Sequence, residues 1–249
     1  MPDTNCTTLI FVVSMKNAAA RRAAFAERAR EASIPWRFFD ANQALADELD
    51  YDAAAVERNK GRQLTDGEVG CYSSHFSIWR EMIAKGWRQC IVLEDDTIVD
   101  WAFLARIAAT DLAAHNIDYL RLYAKTPIWH RTIRKNFLQH ARTVVELVGH
   151  AYGTQAYAIT IGGARALSAA CRTVRRPIDD EMDRSWDHGV PNLMLFPAPV
   201  IEEYVESGIG SARFSAGRSA AYGTVRQRLA RWRERQRIRV RKLGLVLER

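Results

Sequence analysis

The first apolar stretch, Thr8 to Val13, has no polar residue alternating with the apolar ones, the pattern of a strand covered on both faces. Ala18 to Ala32 follows, rich in Ala, Arg and Glu, with Phe25 and Ala29 at helical spacing. Pro35 ends that helix and Trp36 to Phe39 reads as a second strand, so the chain begins β-α-β. Thr65 followed by Glu68 is a capping box, predicting a helix from there to about Lys85, with Gly86 as its terminator. Val69, Phe76, Ile78, Trp79, Met82 and Ile83 give that helix a broad apolar stripe. Cys90 to Leu93 is a short buried strand running into Glu94, Asp95 and Asp96. Ile117 to Tyr123, Ala156 to Ile161 and Leu193 to Phe196 read as further strands, and Gly162 to about Cys171 as a helix. Strands alternating with helices predict one α/β domain, 1–212, around a mainly parallel sheet.

Composition changes this picture only at the C-terminus. Of 249 residues 48% are hydrophobic and 26% charged, which excludes wholesale disorder. The net charge is +7, but Arg213 to Arg249 holds 12 Lys/Arg against 2 Glu, a balance of +10 that leaves −3 for the body. The basic character therefore belongs to an appended segment, 213–249. Its Val225, Leu229, Trp232, Val240 and Leu243 fall near one helical stripe, and a basic amphipathic helix of this kind suits an anionic membrane surface. A solvated charge run competes with that reading, and nucleic acid ranks last among the partners considered. No apolar run is long enough to span a bilayer, and the short run near the N-terminus lacks basic residues ahead of it, so a soluble intracellular chain is expected. The four cysteines are far apart and form no Cys-x-x-Cys pair, which argues against a zinc site or a disulfide framework.

The candidate chemistry lies in two acidic clusters. Glu94, Asp95 and Asp96 stand at the C-terminal end of a buried strand, where open α/β sheets bind ligands, and adjacent carboxylates favour a cation such as Mg²⁺ or Mn²⁺. Asp179 and Asp180 follow Pro177 and could supply a base, although, taken alone, the cluster is better explained as the acidic first turn of a helix. Glu68 and His75 share a helix face, with Ser74 beside them. Gly208-Ile209-Gly210 is not a dinucleotide fingerprint, because Arg213 stands at the third glycine. P-loop, His-Glu-x-x-His and Gly-x-Ser-x-Gly motifs are absent, so the dehydrogenase, ATPase, zinc-protease and α/β-hydrolase readings lose most of their weight.

Residues 65–96 resemble glycosyltransferase family 25, whose hallmark is Gly-Glu-x-Gly-Cys-x-x-Ser-His-x-x-x-Trp followed by Leu-Glu-Asp-Asp. Here the first block runs from Gly67 to Trp79 and the second from Leu93 to Asp96. Ser14-Met15-Lys16 with Arg21 and Arg22, Tyr152 to Tyr157, Pro177-Ile178-Asp179 and Phe196 to Val200 are similar to its other segments, while Gly208 departs from a Ser-Asp-Ile motif. The resemblance implies a GT-A-like, Rossmann-type domain that uses a UDP-sugar donor, with inversion. It places the metal, Mn²⁺ or Mg²⁺, on Asp96 and Glu94. The donor falls among Ser14, Lys16, Arg21, Arg22, Glu68, Ser74, His75 and Asp95, and the base is Asp179, with Asp180 in reserve. The implied acceptor is a glycan or lipid-linked oligosaccharide in lipopolysaccharide biosynthesis, made on the inner face of the cytoplasmic membrane. The alternative is a family-like scaffold without catalysis in a glycan assembly complex.

Overall fold

The computed structural model describes residues 8–125, 128–203 and 225–247. The departing Ser207–Ile209 segment lies outside the described residues. The strands are β1 (Leu9–Ser14), β2 (Trp36–Asp40), β3 (Asp50–Tyr51), β4 (Gln89–Glu94), β5 (Thr97–Val99), β6 (Tyr119–Arg121), β7 (His130–Arg134), β8 (Thr143–Leu147), β9 (Ala156–Thr160), β10 (Thr173–Val174), β11 (Leu193–Phe196) and β12 (Val200–Glu202). The helices are α1 (Ala19–Arg28), α2 (Ala53–Lys60), α3 (Asp66–Lys85), α4 (Trp101–Ala108), α5 (Ile161–Ala170), α6 (Ile178–Met182), α7 (Ser185–His188) and α8 (Val225–Leu247).

Eight strands form one sheet in the order β2-β1-β4-β9-β6-β11-β8-β7. The sheet is mixed, and the expectation of a mainly parallel sheet holds in part: six of the eight strands run in one direction, with β8 and β9 against them. β1 pairs in parallel with β2 and β4, and β6 with β11, but β9 is antiparallel to both its neighbours and β8 to both of its own. Two short ribbons, β10 with β3 and β12 with β5, lie outside it.

The uninterrupted apolar character of β1 has the predicted consequence. Ile10 and Val12 face a core shared with Phe25 of α1 and Phe103, Leu104 and Ile107 of α4. Phe11 and Val13 face a second core with Tyr72, Phe76, Trp79 and Met82 of α3 and Leu167 of α5. A strand with apolar residues at every position can bury both faces only between two such layers.

α3 carries the first block of the sequence motif. Thr65 caps it through the reciprocal capping box with Glu68, and Gly86 closes it at φ 67°. Its Gly70 lies so close to the neighbouring loop that a Cβ there would sit 2.4 Å from the Asn42 carbonyl oxygen. The hydroxyls of Ser73 and Ser74 accept the backbone N–H groups of Ala46 and Asn42, at 3.0 and 2.8 Å. The small residues of this helix therefore seat the 41–46 loop against it.

Candidate functional site

The first acidic cluster leaves the sheet at the end of β4. Ser14, the last residue of the adjacent β1, donates its hydroxyl to Asp95 at 2.6 Å, and Arg21 of α1 bonds the other carboxylate oxygen of Asp95. Arg21 also lies 3.4 Å from Asp96, and Arg28 donates to the Asp95 carbonyl at 3.0 Å. Arg22 instead buttresses Ser14, donating to its carbonyl at 2.8 Å, and pairs with Asp40 at 2.6 Å. Lys16 is exposed in the turn between β1 and α1.

Asp95 is thus occupied by protein partners. Asp96 differs, because its Oδ1 is buried and without a hydrogen-bond partner. Burial raises the Asp96 carboxyl above its ordinary range, against the lowering effect of Arg21. Glu94 is pushed up to about 8, first by burial and then by the neighbouring charge of Asp96. Carboxylates that resist ionising together are the arrangement a divalent cation relieves, and oxygen donors suit Mg²⁺ or Mn²⁺. The residues present therefore fit a hard divalent ion on Asp96 with Glu94 in support.

Glu94 also faces α3. The Thr154 hydroxyl donates to its Oε1, and the Nε2 of His75 lies 3.9 Å from the same oxygen. His75 is fully buried, and burial lowers it to about 3, so the imidazole is neutral at ordinary pH. Its Nδ1 is 2.9 Å from the Tyr157 hydroxyl, which also accepts from Trp79 Nε1 at 3.0 Å. Two further residues expected in the donor pocket have partners within the fold. Glu68 accepts the Thr65 N–H at 2.9 Å and a two-pronged Arg62 pair at 2.7 and 2.8 Å, while Ser74 donates to the Gly70 carbonyl at 2.7 Å.

The second cluster reaches the first through the loop that enters β9. Three successive residues of that loop each hold a different carboxylate. The Tyr152 N–H donates to Asp183 at 2.9 Å, the Gly153 N–H donates to Asp179 at 3.0 Å, and Thr154 holds Glu94. Tyr152 and Gly153 have φ of 54° and 79°, so the backbone turns sharply there. The loop is fixed from beneath by Arg121 of β6. Its guanidinium is 2% exposed and pairs with the buried Asp183 at 2.6 Å, also donating to the Gly153 carbonyl at 2.8 Å and to Asn192 at 3.1 Å. Asp179 is half-buried, whereas Asp180 has Lys60 at 3.5 Å and His150 at 3.2 Å.

Sequence reasoning missed Thr154, Arg121 and Asp183 as parts of this arrangement. Arg121 carried a signal, being the lone charge inside the otherwise apolar run Tyr119 to Tyr123. Thr154 lay in the Tyr152 to Tyr157 segment that resembles the family, but its bond to Glu94, sixty positions away, was not legible.

Comparison with known proteins agrees with the motif. A family model described as Glycosyltransferase family 25 (LPS biosynthesis protein) matches residues 7–182. The Homo sapiens protein named Inactive glycosyltransferase 25 family member 3 is 31% identical over 196 residues, which is 72% of this chain and 31% of that protein. Procollagen galactosyltransferase 1-A of Xenopus laevis is 26% identical over 198 residues, covering 75% of this chain and 32% of its own. Procollagen galactosyltransferase 2 of Mus musculus is 27% identical over 181 residues, 68% and 28% respectively. The chain spans about a third of the length of these relatives. With the family match running from the first strand through α6, and the Glu94–Asp96 cluster and Asp179 within it, the chain belongs to glycosyltransferase family 25.

Proposed function

We propose that this domain transfers a hexose, galactose or glucose, from a UDP-sugar to a glycan acceptor with inversion, in the assembly of a lipopolysaccharide or lipooligosaccharide. The observation that carries the reading is the 152–154 loop, which ties the strand-end carboxylates and the Asp179 cluster to one short stretch of backbone. A displacement with inversion needs a leaving-group site and a base held at a fixed separation, and this loop supplies such a spacer. That two relatives are named procollagen galactosyltransferases supports the choice of a hexose.

In this reading Asp96, with Glu94, holds a divalent cation, Mn²⁺ or Mg²⁺. Such an ion supplies neutralisation of the donor diphosphate and of the departing UDP. Arg21 and Ser14 fix Asp95 and thereby the turn that presents Asp96. Lys16, exposed beside that turn, is the cation assigned to the diphosphate. Asp179 acts as the base on the acceptor hydroxyl, its orientation set by the Gly153 and Asp180 N–H groups, both at 3.0 Å. Asp180 is the weaker choice because Lys60 and His150 already face it.

The test is a thermal-shift titration with UDP, UDP-galactose and UDP-glucose, with and without Mn²⁺, followed by transfer assays. A ligand at 100 times its Kd adds about 2.7 kcal/mol, which moves the midpoint of a domain this size by roughly 5–11 °C. Asp96→Asn should abolish the metal-dependent part of that shift and lower turnover by 10² or more. Unchanged turnover in Asp96→Asn would remove the metal from the reading. A second reading, a domain that binds glycan or nucleotide without catalysis, is favoured by the relative named as inactive. Multiple-turnover transfer to any acceptor eliminates it.

We further propose that α8 holds the enzyme at an anionic membrane surface. Val225, Leu229, Trp232, Val240 and Leu243 are all exposed, and at helical spacing they fall within an arc of about 80°. Trp232 and Val240 also line a cleft together with Arg58, Arg175 and Trp186 of the body. No helix among the described residues is long and apolar enough to cross a membrane, so attachment would be peripheral. Full-length protein should sediment with vesicles containing anionic lipid and not with neutral ones, and Trp232→Glu should release it. Equal sedimentation of the variant refutes the placement.

A further inference from the structure

Beside the oxygen-only cluster, α3 and β4 bring together a second and chemically different donor set. Cys71 and His75 are four residues apart on α3 and so point from the same face. The Cys71 thiol sulfur, a ring nitrogen of His75 and a carboxylate oxygen of Glu94 all lie within 4.8 Å of one another. Cys71 is in no disulfide, and its sulfur is 3.6 Å from the Thr154 hydroxyl that also holds Glu94.

The imidazole gives the independent indication. His75 is 0% exposed, yet its Nε2 has no hydrogen-bond partner, an expensive state for a buried polar atom. This nitrogen is the one nearest Glu94, at 3.9 Å, while Nδ1 is engaged by Tyr157 at 2.9 Å. The Tyr157 oxygen has two lone pairs, one accepting from Trp79 Nε1, so it can also accept from a protonated Nδ1. That tautomer leaves the Nε2 lone pair directed at Glu94 and Cys71. A metal-binding histidine characteristically donates its other ring N–H in this way.

We propose that Cys71, His75 and Glu94 form a three-ligand site for a thiophilic divalent cation of the Zn²⁺ class. One thiolate, one neutral imidazole and one carboxylate suit a borderline-soft ion, whereas Asp96 offers oxygen only. With metal–ligand distances near ~2.0–2.3 Å, binding draws the three donor atoms together by about 1 Å, a side-chain adjustment. Glu94 and Cys71 are both half-buried, so the donor set is within reach of the solvent side. Because Glu94 is shared, filling this site takes a carboxylate from the neighbouring one. The inference does not rest on the transferase reading, and its test involves no turnover.

The experiment is a Co²⁺ titration of the full-length protein, stripped with chelator and kept reduced, with Co²⁺ as the coloured stand-in for Zn²⁺. One equivalent should produce the visible bands of tetrahedral cobalt together with a near-ultraviolet thiolate-to-cobalt band, both bleached by Zn²⁺. Cys71→Ala, a change at a half-buried position whose folding is checked by circular dichroism, should abolish the thiolate band. Glu94→Gln should weaken Co²⁺ binding tenfold or more, and Asp96→Asn should leave it unchanged. Absence of the thiolate band in the native protein, its survival in Cys71→Ala, or its loss in Asp96→Asn would each overturn the proposal.

Discussion

Replacing Arg121 by Met tests whether one buried ion pair organises the loop between the two acidic clusters. The substitution keeps length and apolar contact but leaves Asp183, itself 1% exposed, with His150 at 3.9 Å as its remaining basic neighbour among the described residues. Of its hydrogen bonds Asp183 would retain the N–H of Tyr152 and the amide of Asn192, and the Gly153 carbonyl would lose its Arg121 donor. Removing one partner of a buried pair typically costs about 3–5 kcal/mol, most of it the stranded charge. For a domain of this size the midpoint should fall by roughly 6–20 °C. The charge argument has a signature that simple loss of packing does not. Burial already raises the Asp183 carboxyl and Arg121 opposes that rise, so the variant should raise it further. The native variant would then hold a proton that the unfolded chain has released, and its stability would fall as pH rises. Urea unfolding at pH 5 and pH 8 should therefore show the larger loss at pH 8. Adding Asp183→Asn to Arg121→Met should recover most of it. A loss below about 1 kcal/mol, or one equal at both pH values, would refute the reasoning.

Gly70→Ala should destabilise by about 1–3 kcal/mol in denaturant titration, because its Cβ would meet the backbone oxygen of Asn42 at 2.4 Å and backbone yields little. A neutral result would mean that the 41–46 loop is not seated as described. Glu94, pushed up to about 8 from 4.5, stays protonated in the fold over a range where the unfolded chain ionises. Its contribution is complete below about pH 4.5 and is lost as pH rises through about 8, so in chelator Glu94→Gln should gain roughly 2–4 kcal/mol relative to the native protein between pH 5 and 8. An unchanged pH slope in that variant would assign the carboxyl an ordinary value. His75 has the opposite sign. Lowered to about 3, it contributes stability above about pH 6.5 that is lost as pH falls through about 3, and His75→Gln should flatten the acid limb of the stability profile.

The parts of the fold legible in the sequence were those set by local physics. β1 announced burial on both faces by its unbroken apolar run, and α3 announced both ends through Thr65, Glu68 and Gly86. β7 was not legible, because it lies at the sheet edge and is largely exposed, with residues from His130 to Arg134 that show no alternation. Strand direction was equally hidden, since an apolar run such as Ala156–Thr160 buries the same area whichever way it points. The same division runs through the site. Glu94 to Asp96 stood out because three carboxylates follow an apolar strand without interruption. The bonds from residues 152–154 to Glu94, Asp179 and Asp183 are made by tertiary placement, and two of the three come from backbone N–H groups that any residue would offer.

The reversal of β9 has a geometric consequence for the whole ligand-binding edge. Leu93 at the end of β4 stands opposite Ala156 at the start of β9, and the Glu94 N–H bonds the Gln155 carbonyl at 2.8 Å. A strand of five residues running parallel to β4 would begin at the far edge of the sheet, about 17 Å away. The loop carrying Tyr152, Gly153 and Thr154 would then hang beneath the sheet, out of reach of every carboxylate it now holds. In a purely parallel sheet the strand exits alone furnish the ligand edge. Here one strand's entrance is interleaved among them, and the direction in which the chain threads β9 decides which carboxylates are held by one loop.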